Sequence, residues 1–378
     1  MTNDPQNMIL VMNTGSSSVK FQVFLQKKDL PLVAKGQIRN LGFSPLFEVT
    51  ITDSFQHPTM HQEVLSDTTT HETAIHYVLD WIGAQSQSWH IGLAVHRVVH
   101  GGLKFTRSVQ LTDEIISELW TFCPFAPLHQ SYNLRAISII REQRPDVVQI
   151  ACFDTAFHAN HTPLFTEYAL PRKMRDQGIR RYGFHGLSYE WIVHCLQKDE
   201  PKLADGRIIA AHLGNGASLC AIDRGISIDT TMGMTALDGL PMGSRSGSID
   251  PGVVIYMIRE LGLTVDEVES ILYNTSGLLG LSEWTNDVSL LQSSDNPKAQ
   301  FALDYFCLRT AQFIGMMAVA LGGIHGIVFT GGIGENSQAV RESILSHLAF
   351  LQPIATLTIP ANEERIMAMH AIALIQQT

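Results

Sequence analysis

The chain has 378 residues, more than twice the ~150 of one domain, so two domains with their own cores are expected and a small disulfide scaffold is excluded. Apolar residues make up 45% and charged residues 16%, which is the composition of a folded globular protein and not of a disordered or collagen-like one. Lys plus Arg number 26 against 36 Asp plus Glu, a formal net charge of −10, so a broad electrostatic grip on nucleic acid or anionic lipid is excluded and any anionic ligand must be held locally.

The first seven residues are polar and lack a basic-then-apolar export pattern. The five cysteines are odd in number and widely spaced, so neither a disulfide framework nor a zinc knuckle is suggested, and a reducing cytoplasm is expected. Residues 8–12 read as a buried strand, Asn13-Thr-Gly15-Ser-Ser-Ser18 as a tight turn, and Val19, Phe21 and Val23 as the alternating face of a returning strand. Helical spacing follows at 112–122 and 131–142, and an apolar run at 147–152 leads into Phe153-Asp154. The strand–turn–strand pattern recurs at 207–212, Leu213-Gly214-Asn215-Gly216-Ala-Ser218, and Leu219 with Ala221. Helices are predicted at 251–261, 265–273 and 298–321. The apolar stretch 313–329 is split by Gly322-Gly323 into a helix end and a strand at 326–330, and so reads as core and not as a membrane span. That strand runs into Gly331-Gly332-Ile333-Gly334-Glu335-Asn336, with a helix capped by Asn336 or Ser337 expected next. Residues 362–376 are apolar at helical spacing and suited to packing back on the first domain.

Two glycine-turn hairpins about 200 residues apart predict a duplicated α/β domain with a cleft between the halves. The predicted domains are 1–155, completed by a C-terminal helix at 365–378, and 156–364. Turns of Gly and Ser bring backbone N–H groups and hydroxyls to one point without bulk, which is how a chain surrounds phosphate oxygens. A single such turn is ordinary hairpin chemistry, but three in one chain point to phosphate. No Gly is followed by Lys, so there is no P-loop lysine, and no Gly-x-Gly-x-x-Gly is present. His71-Glu72 and His76 miss zinc-protease spacing, and Gly243-Ser-Arg245-Ser-Gly247 has Arg where a hydrolase elbow needs Ser. Taken singly, a surface ion pair for each Arg and a satisfied structural role for each His are the ordinary readings.

Eight blocks together carry a resemblance: Asn13-Thr-Gly-Ser-Ser-Ser-Val-Lys20, His96-Arg-Val-Val-His-Gly-Gly102, Phe125-Ala-Pro-Leu-His129, Phe153-Asp-Thr-Ala-Phe-His158, Arg181-Tyr-Gly-Phe-His-Gly186, His212-Leu-Gly-Asn-Gly-Ala-Ser218, Met242-Gly-Ser-Arg-Ser-Gly247 and Thr330-Gly-Gly-Ile-Gly-Glu-Asn336. In this order, from residue 8 to about 370, the sequence resembles the acetate/propionate kinase family. The resemblance implies duplicated actin-like (ribonuclease H-like) α/β domains of the acetate and sugar kinase, heat-shock ATPase and actin superfamily. It also implies phosphoryl transfer between ATP and acetate or another short carboxylate, giving ADP and an acyl phosphate. Mg²⁺ is the expected metal, with Mn²⁺ able to substitute, and a cytoplasmic homodimer with neither nucleic-acid nor membrane partners is expected.

Position by position, the resemblance assigns Asn13 and Glu363 to the metal and Ser16, Ser18 and Lys20 to the phosphate path. Arg97 binds the carboxylate or acyl phosphate, with Val99, Leu128, His129, Phe184 and Ala236 around the acyl group. Asp154 corresponds to the catalytic aspartate, and His185 and Arg245 to transition-state stabilisers. The nucleotide segments are His212, Leu213, Gly214, Asn215 and Gly216; Asp287, Val288 and Ser289; and Gly332, Ile333, Gly334, Glu335 and Asn336. A carboxylate acceptor is already ionised at neutral pH, since such groups titrate near ~4. It needs its repulsion from phosphate offset more than it needs a base, and two arginines, a His donor and Mg²⁺ suit a metaphosphate-like transition state. Asp154 is therefore expected to organise an Arg or metal-bound water.

The sequence departs from the family pattern at Ala236, where Pro is usual, at Ser289, where an Arg lies against adenine, and at Tyr189, where His is usual. The stretch 341–360 is also shorter than the family's. Two other readings remain at this level: a hydroxyl-directed kinase of the same fold, with Asp154 as a true base, and a non-enzymatic nucleotide-gated binding protein of actin type.

Overall fold

A computed structural model of the chain describes residues 6–15, 18–52, 58–85, 89–126 and 129–376. The chain divides into two units, Met1–Ala156 with Asn362–Thr378, and Phe157–Ala361.

The first unit is built on an eight-stranded sheet in the order β5-β4-β3-β2-β1-β6-β8-β7. The strands are β1 (Gln6–Thr14), β2 (Val19–Leu25), β3 (Leu32–Arg39), β4 (Leu46–Ile51), β5 (Thr59–Val64), β6 (Trp89–Val98), β7 (Val109–Gln110) and β8 (Val148–Phe153). β1 through β5 form antiparallel hairpins, whereas β1, β6 and β8 run parallel. Residues 8–12 of β1 are all buried, as a central strand covered on both faces requires. One face is covered by helix His71–Gly83, which starts from a Thr70/Thr73 capping box and buries Ala74, Ile75, Val78 and Ile82 at helical spacing. Helix Gln130–Gln143 and the C-terminal helix Glu363–Ile375 also belong to this unit. The latter begins at Asn362, whose side chain accepts from Arg365 N, and Arg365 in turn donates to the carbonyl of Leu30.

The second unit carries a five-stranded sheet, order β11-β10-β9-β12-β13, of β9 (Arg207–Leu213), β10 (Ala217–Asp223), β11 (Ile226–Thr230), β12 (Gly326–Thr330) and β13 (Ala355–Thr358). β9 pairs antiparallel with β10 and parallel with β12, so both glycine-rich segments leave the same end of neighbouring strands. Helix Gly186–Asp199 packs Tyr189, Ile192, Val193 and Leu196 on this sheet, and the 25-residue helix Pro297–Leu321 ends at left-handed Gly322.

Two local bounds are corrected, while Ser337, one of the two expected caps, does start a helix. Residues 331–336 are themselves a short helix, Gly331–Asn336, and Ser337 caps the next one, Gln338–His347, by accepting from Val340 N. The helix predicted at 112–122 spans only Asp113–Trp120, where Thr112 caps its start and Thr121 ends it.

Candidate active site

In the first unit the parallel strands β1, β6 and β8 bring three polar side chains to one edge, because their carboxyl ends lie side by side. Met12 of β1 is in register with His96 of β6, and Val98 of β6 with Phe153 of β8. Asn13, Arg97 and Asp154 follow at these ends, where open α/β sheets place ligand sites. Arg97 Nε donates to Asp154 Oδ1 at 2.9 Å and Nη2 to Asp154 Oδ2 at 2.6 Å, a bidentate fork, while Nη1 donates to Asn13 Oδ1 at 3.2 Å. Asp154 is 1% exposed, whereas the Arg97 side chain keeps 19% of its surface. Beyond these bonds, Nη1 and Nη2 each retain a further N–H that can turn to a ligand.

The C-terminal helix adds two carboxylates at its first turn. Glu364 accepts from Asn13 Nδ2 at 3.3 Å and from Gln22 Nε2 at 3.1 Å. Burial opposes the charge on Arg97, but Asp154, Glu363 and Glu364 outweigh it and raise its pKa. Burial pushes the Glu363 carboxyl up to about 7; Asp154 and Glu364 add to the rise, and Arg97 and Lys20 oppose it. The glycine turn between β1 and β2 is closed by Gly15 N donating to Ser18 O at 2.9 Å, and Lys20 stands exposed on β2. Ser16 and Leu128 lie outside the described residues. Val99 is buried with its N–H on Asn133 Oδ1, and Asn133 Nδ2 donates to Thr14 O, so one buried amide ties the end of β1 to the end of β6. His129 starts helix Gln130–Gln143, its N–H on Ala126 O.

The second unit gathers another set. His185 precedes helix Gly186–Asp199 in a left-handed conformation (φ 59°), and its ring stacks on His212 with centroids 4.3 Å apart. His185 Nδ1 bonds Ser218 Oγ at 2.8 Å, and His212 Nδ1 bonds Ser188 Oγ at 2.8 Å. A methyl added at Gly216 would sit 3.4 Å from His185 Nε2 and 3.9 Å from Arg245 Nη1, so both nitrogens lie beside this glycine. Arg245 Nη1 donates to the carbonyl of Ala236 at 3.1 Å. Phe184 is 1% exposed, and its carbonyl accepts from His158 Nε2.

The nucleotide segments also converge. Gly331 adopts φ 78° with Leu213 O only 2.7 Å from where a Cβ would be, while a Cβ on Gly214 would lie 3.7 Å from Gly332 N, in ordinary contact. Asn215 O accepts from Gly243 N, and Asn215 Oδ1 accepts from Asn286 Nδ2. Asp287 caps a short helix by accepting from Ser289 N and Leu290 N, with Val288 buried and Ser289 exposed. Glu335 Oε1 is committed to Gly331 N and Ala361 N, Asn336 Nδ2 to Gly332 O, while Gly332 is exposed.

Sequence reasoning missed Glu364, Asn133, Ser218 and the Ala236 carbonyl. Glu364 adjoins a residue it did select, whereas nothing local marks the other three.

The profile of the acetokinase family matches residues 8–365. Acetate kinase of Rhodopseudomonas palustris (strain TIE-1) is 44% identical over 349 residues, covering 91% of this chain and 87% of that protein. Among solved structures, a propionate kinase from Francisella tularensis is 32% identical with a TM-score of 0.87, covering 96% of this chain and 98% of that one. Porphyromonas gingivalis acetate kinase is 30% identical with a TM-score of 0.84, covering 98% and 100%. The two-sheet α/β architecture is that of the actin-like ATPase fold, and the chain belongs to the acetokinase family, phosphotransferases with a carboxyl group as acceptor.

Proposed function

We propose that the protein is an acetate kinase, transferring a phosphoryl group reversibly and in line between ATP and acetate to give acetyl phosphate and ADP, with propionate as a second substrate. The observation that carries this reading is the Arg97–Asp154 fork beside Asn13 at the carboxyl ends of β1, β6 and β8. Both oxygens of Asp154 are committed to Arg97. That suits a carboxylate that orients an arginine, which in turn meets an anionic acceptor, better than it suits the base of a hydroxyl-directed kinase.

His185 and Arg245 are assigned to the transferring group. His185 Nε2 and the Arg245 guanidinium both lie beside Gly216, and fixed donors beside developing phosphoryl charge are the largest expected catalytic term. Residues 212–216 and 332–336 are assigned to ATP, with exposed Gly332 offering its N–H to phosphate and Asp287, Val288 and Ser289 at the base. Val99, His129, Phe184 and Ala236 are assigned to the acyl group.

The residues fit magnesium. Asn13, Glu363 and Glu364 are hard oxygen donors, and the Glu363 carboxyl, raised chiefly by burial with Asp154 and Glu364 adding to the rise, is a group whose charged form a divalent cation would favour. Asn13 and Glu363 would hold the ion, directly or through water, and Mn²⁺ has the same donor preference. When bound, the ion neutralises charge on the nucleotide phosphates.

A homodimer in the cytoplasm completes the proposal. The exposed Val253, Ile255, Tyr256 and Ile258 on helix Pro251–Arg259 support a self-association face. No helix among the described residues is long and apolar enough to cross a membrane.

Steady-state kinetics of two variants test the assignment. Arg245→Ala should lower kcat by about 10²–10³ with little change in the KM for acetate. Arg97→Ala should raise that KM as well. Both variants near wild type would overturn the mechanism.

A further inference from the structure

His185 is held from behind by groups the reaction itself does not use. Its Nδ1 lies 2.8 Å from Ser218 Oγ, and Ser218 Oγ is in turn bonded to the Tyr189 hydroxyl. Ser218 and Tyr189 are both 0% exposed, so this chain is sealed from water at its inner end. The Tyr189 ring is fixed independently, edge-on to His158 with centroids 5.8 Å apart and packed against Ile192, Val193, Ala210 and Cys220. The serine comes from β10 and the tyrosine from helix Gly186–Asp199, the helix that His185 itself begins, so all three are set by the same helix-on-sheet packing.

The chemistry of a neutral imidazole makes this arrangement consequential. It carries one proton, on Nδ1 or on Nε2, and the partner of one nitrogen decides the state of the other. If Ser218 donates to Nδ1, the proton sits on Nε2, the nitrogen that lies beside Gly216. If Nδ1 donates to Ser218, Nε2 is bare and repels a phosphoryl oxygen. A serine hydroxyl has a single hydrogen, so whatever occupies its acceptor lone pairs determines which way it points. A phenol is a stronger donor than an aliphatic alcohol, with a pKa near ~10. With the phenol as donor to Ser218 Oγ, the serine hydrogen would turn toward His185 Nδ1.

We propose that Tyr189 is a positioning residue that, through Ser218, holds His185 as the Nε2–H tautomer and so keeps a neutral donor aimed at the transferring phosphoryl group. The inference rests on the assignment of His185 to that group. His212 is held in the same manner, since Ser188, one residue before Tyr189, bonds its Nδ1 while its ring lies against His185. Hydroxyl contacts to Nδ1, from Ser218 on β10 and from Ser188 on the helix, thus fix both stacked imidazoles.

The test uses the full-length protein labelled with ¹⁵N-histidine, the tautomer of His185 being read from two-bond ¹H–¹⁵N correlations and its signals assigned by their loss in His185→Gln. Wild type should show the Nε2–H form. Tyr189→Phe, which keeps the buried ring, should move His185 toward a mixture containing Nδ1–H. It should also lower kcat about tenfold with both KM values within about twofold, and Ser218→Ala should do the same. The double variant should be no slower than Ser218→Ala alone, because the tyrosine acts only through the serine. An Nδ1–H tautomer in wild type overturns the proposal without recourse to any variant. So does Tyr189→Phe with unchanged tautomer and kcat, or a double variant slowed by the product of the two single effects. Should His185→Gln turn over at the wild-type rate, the assignment of His185 to the phosphoryl group fails, while the tautomer readout still decides the relay.

Discussion

Replacing Gly216 by Ala tests the donor pair without touching either donor. Gly216 does not require a left-handed backbone, and the added methyl would lie 3.4 Å from His185 Nε2 and 3.9 Å from Arg245 Nη1, ordinary contact distances. The fold should therefore accept it, with a melting temperature within about 2 °C of wild type, as for substitutions that neither strain nor overpack. An oxygen accepting from both donors would sit about 2.9 Å from each. The methyl carbon is only about 0.5 Å farther from His185 and about 1 Å farther from Arg245, so methyl and phosphoryl oxygen compete for one space. Losing one such donor typically costs about 3–4 kcal/mol of transition-state stabilisation, or 10²–10³ in rate. Gly216→Ala should accordingly lower kcat by at least about 10² while binding acetate normally. Acetyl phosphate formation, followed by coupled ADP release alongside a thermal melt, measures both quantities. A kcat within threefold of wild type at unchanged stability would refute the placement of the transferring group over Gly216.

Asp154→Ala should destabilise the first unit by about 3–5 kcal/mol in urea unfolding, because it leaves the largely buried Arg97 guanidinium without its bidentate partner. For Asp229, burial raises the folded-state pKa to about 6 from an ordinary 3.8, so the fold favours the protonated form. Stability is then lost as pH rises from about 4 to about 6 and is level above that, and Asp229→Asn should remove the decline, a gain of at most about 3 kcal/mol at pH 7 by urea unfolding. If Ala236 lines the acyl group as proposed, propionate should be used within about tenfold of acetate by kcat/KM, since one methylene is worth roughly 1–3 kcal/mol; a hundredfold preference for acetate would contradict this. With Ser289 exposed and unable to stack, ATP, GTP and ITP should be accepted with weak discrimination, and Ser289→Arg should restore ATP preference through roughly 0.5–2 kcal/mol of cation–π attraction.

Local pattern made the strands and turns legible. The run at 8–12, the hairpin at 207–221 and the strand at 326–330 are set by uninterrupted burial and by glycine, both visible in single windows. Arg97 and Asp154 stood out because each ends an apolar run, and parallel pairing then brought them together. What stayed hidden was long-range or had no side-chain signature. Asn13 meets Glu364 across 351 positions, a pairing no window contains. The Ala236 carbonyl that holds Arg245 is backbone, common to every residue type. Ser218 reads as one more small residue in a glycine turn, and its bonds to His185 and Tyr189 appear only once helix Gly186–Asp199 lies on β10. Helix ends moved by one or two residues wherever a threonine cap or turn outweighed the apolar period, as at Asp113–Trp120.

The most direct measurement is trapping of the product as a hydroxamate. Purified protein given ATP, Mg²⁺ and hydroxylamine should form acetyl hydroxamate only when acetate is present, with ADP released in equal amount, and the signal should collapse in Arg245→Ala. Nucleotide turnover with no hydroxamate from any short carboxylate would contradict the account, and phosphorylation of a sugar hydroxyl under the same conditions would replace it with a kinase in which Asp154 acts as a base.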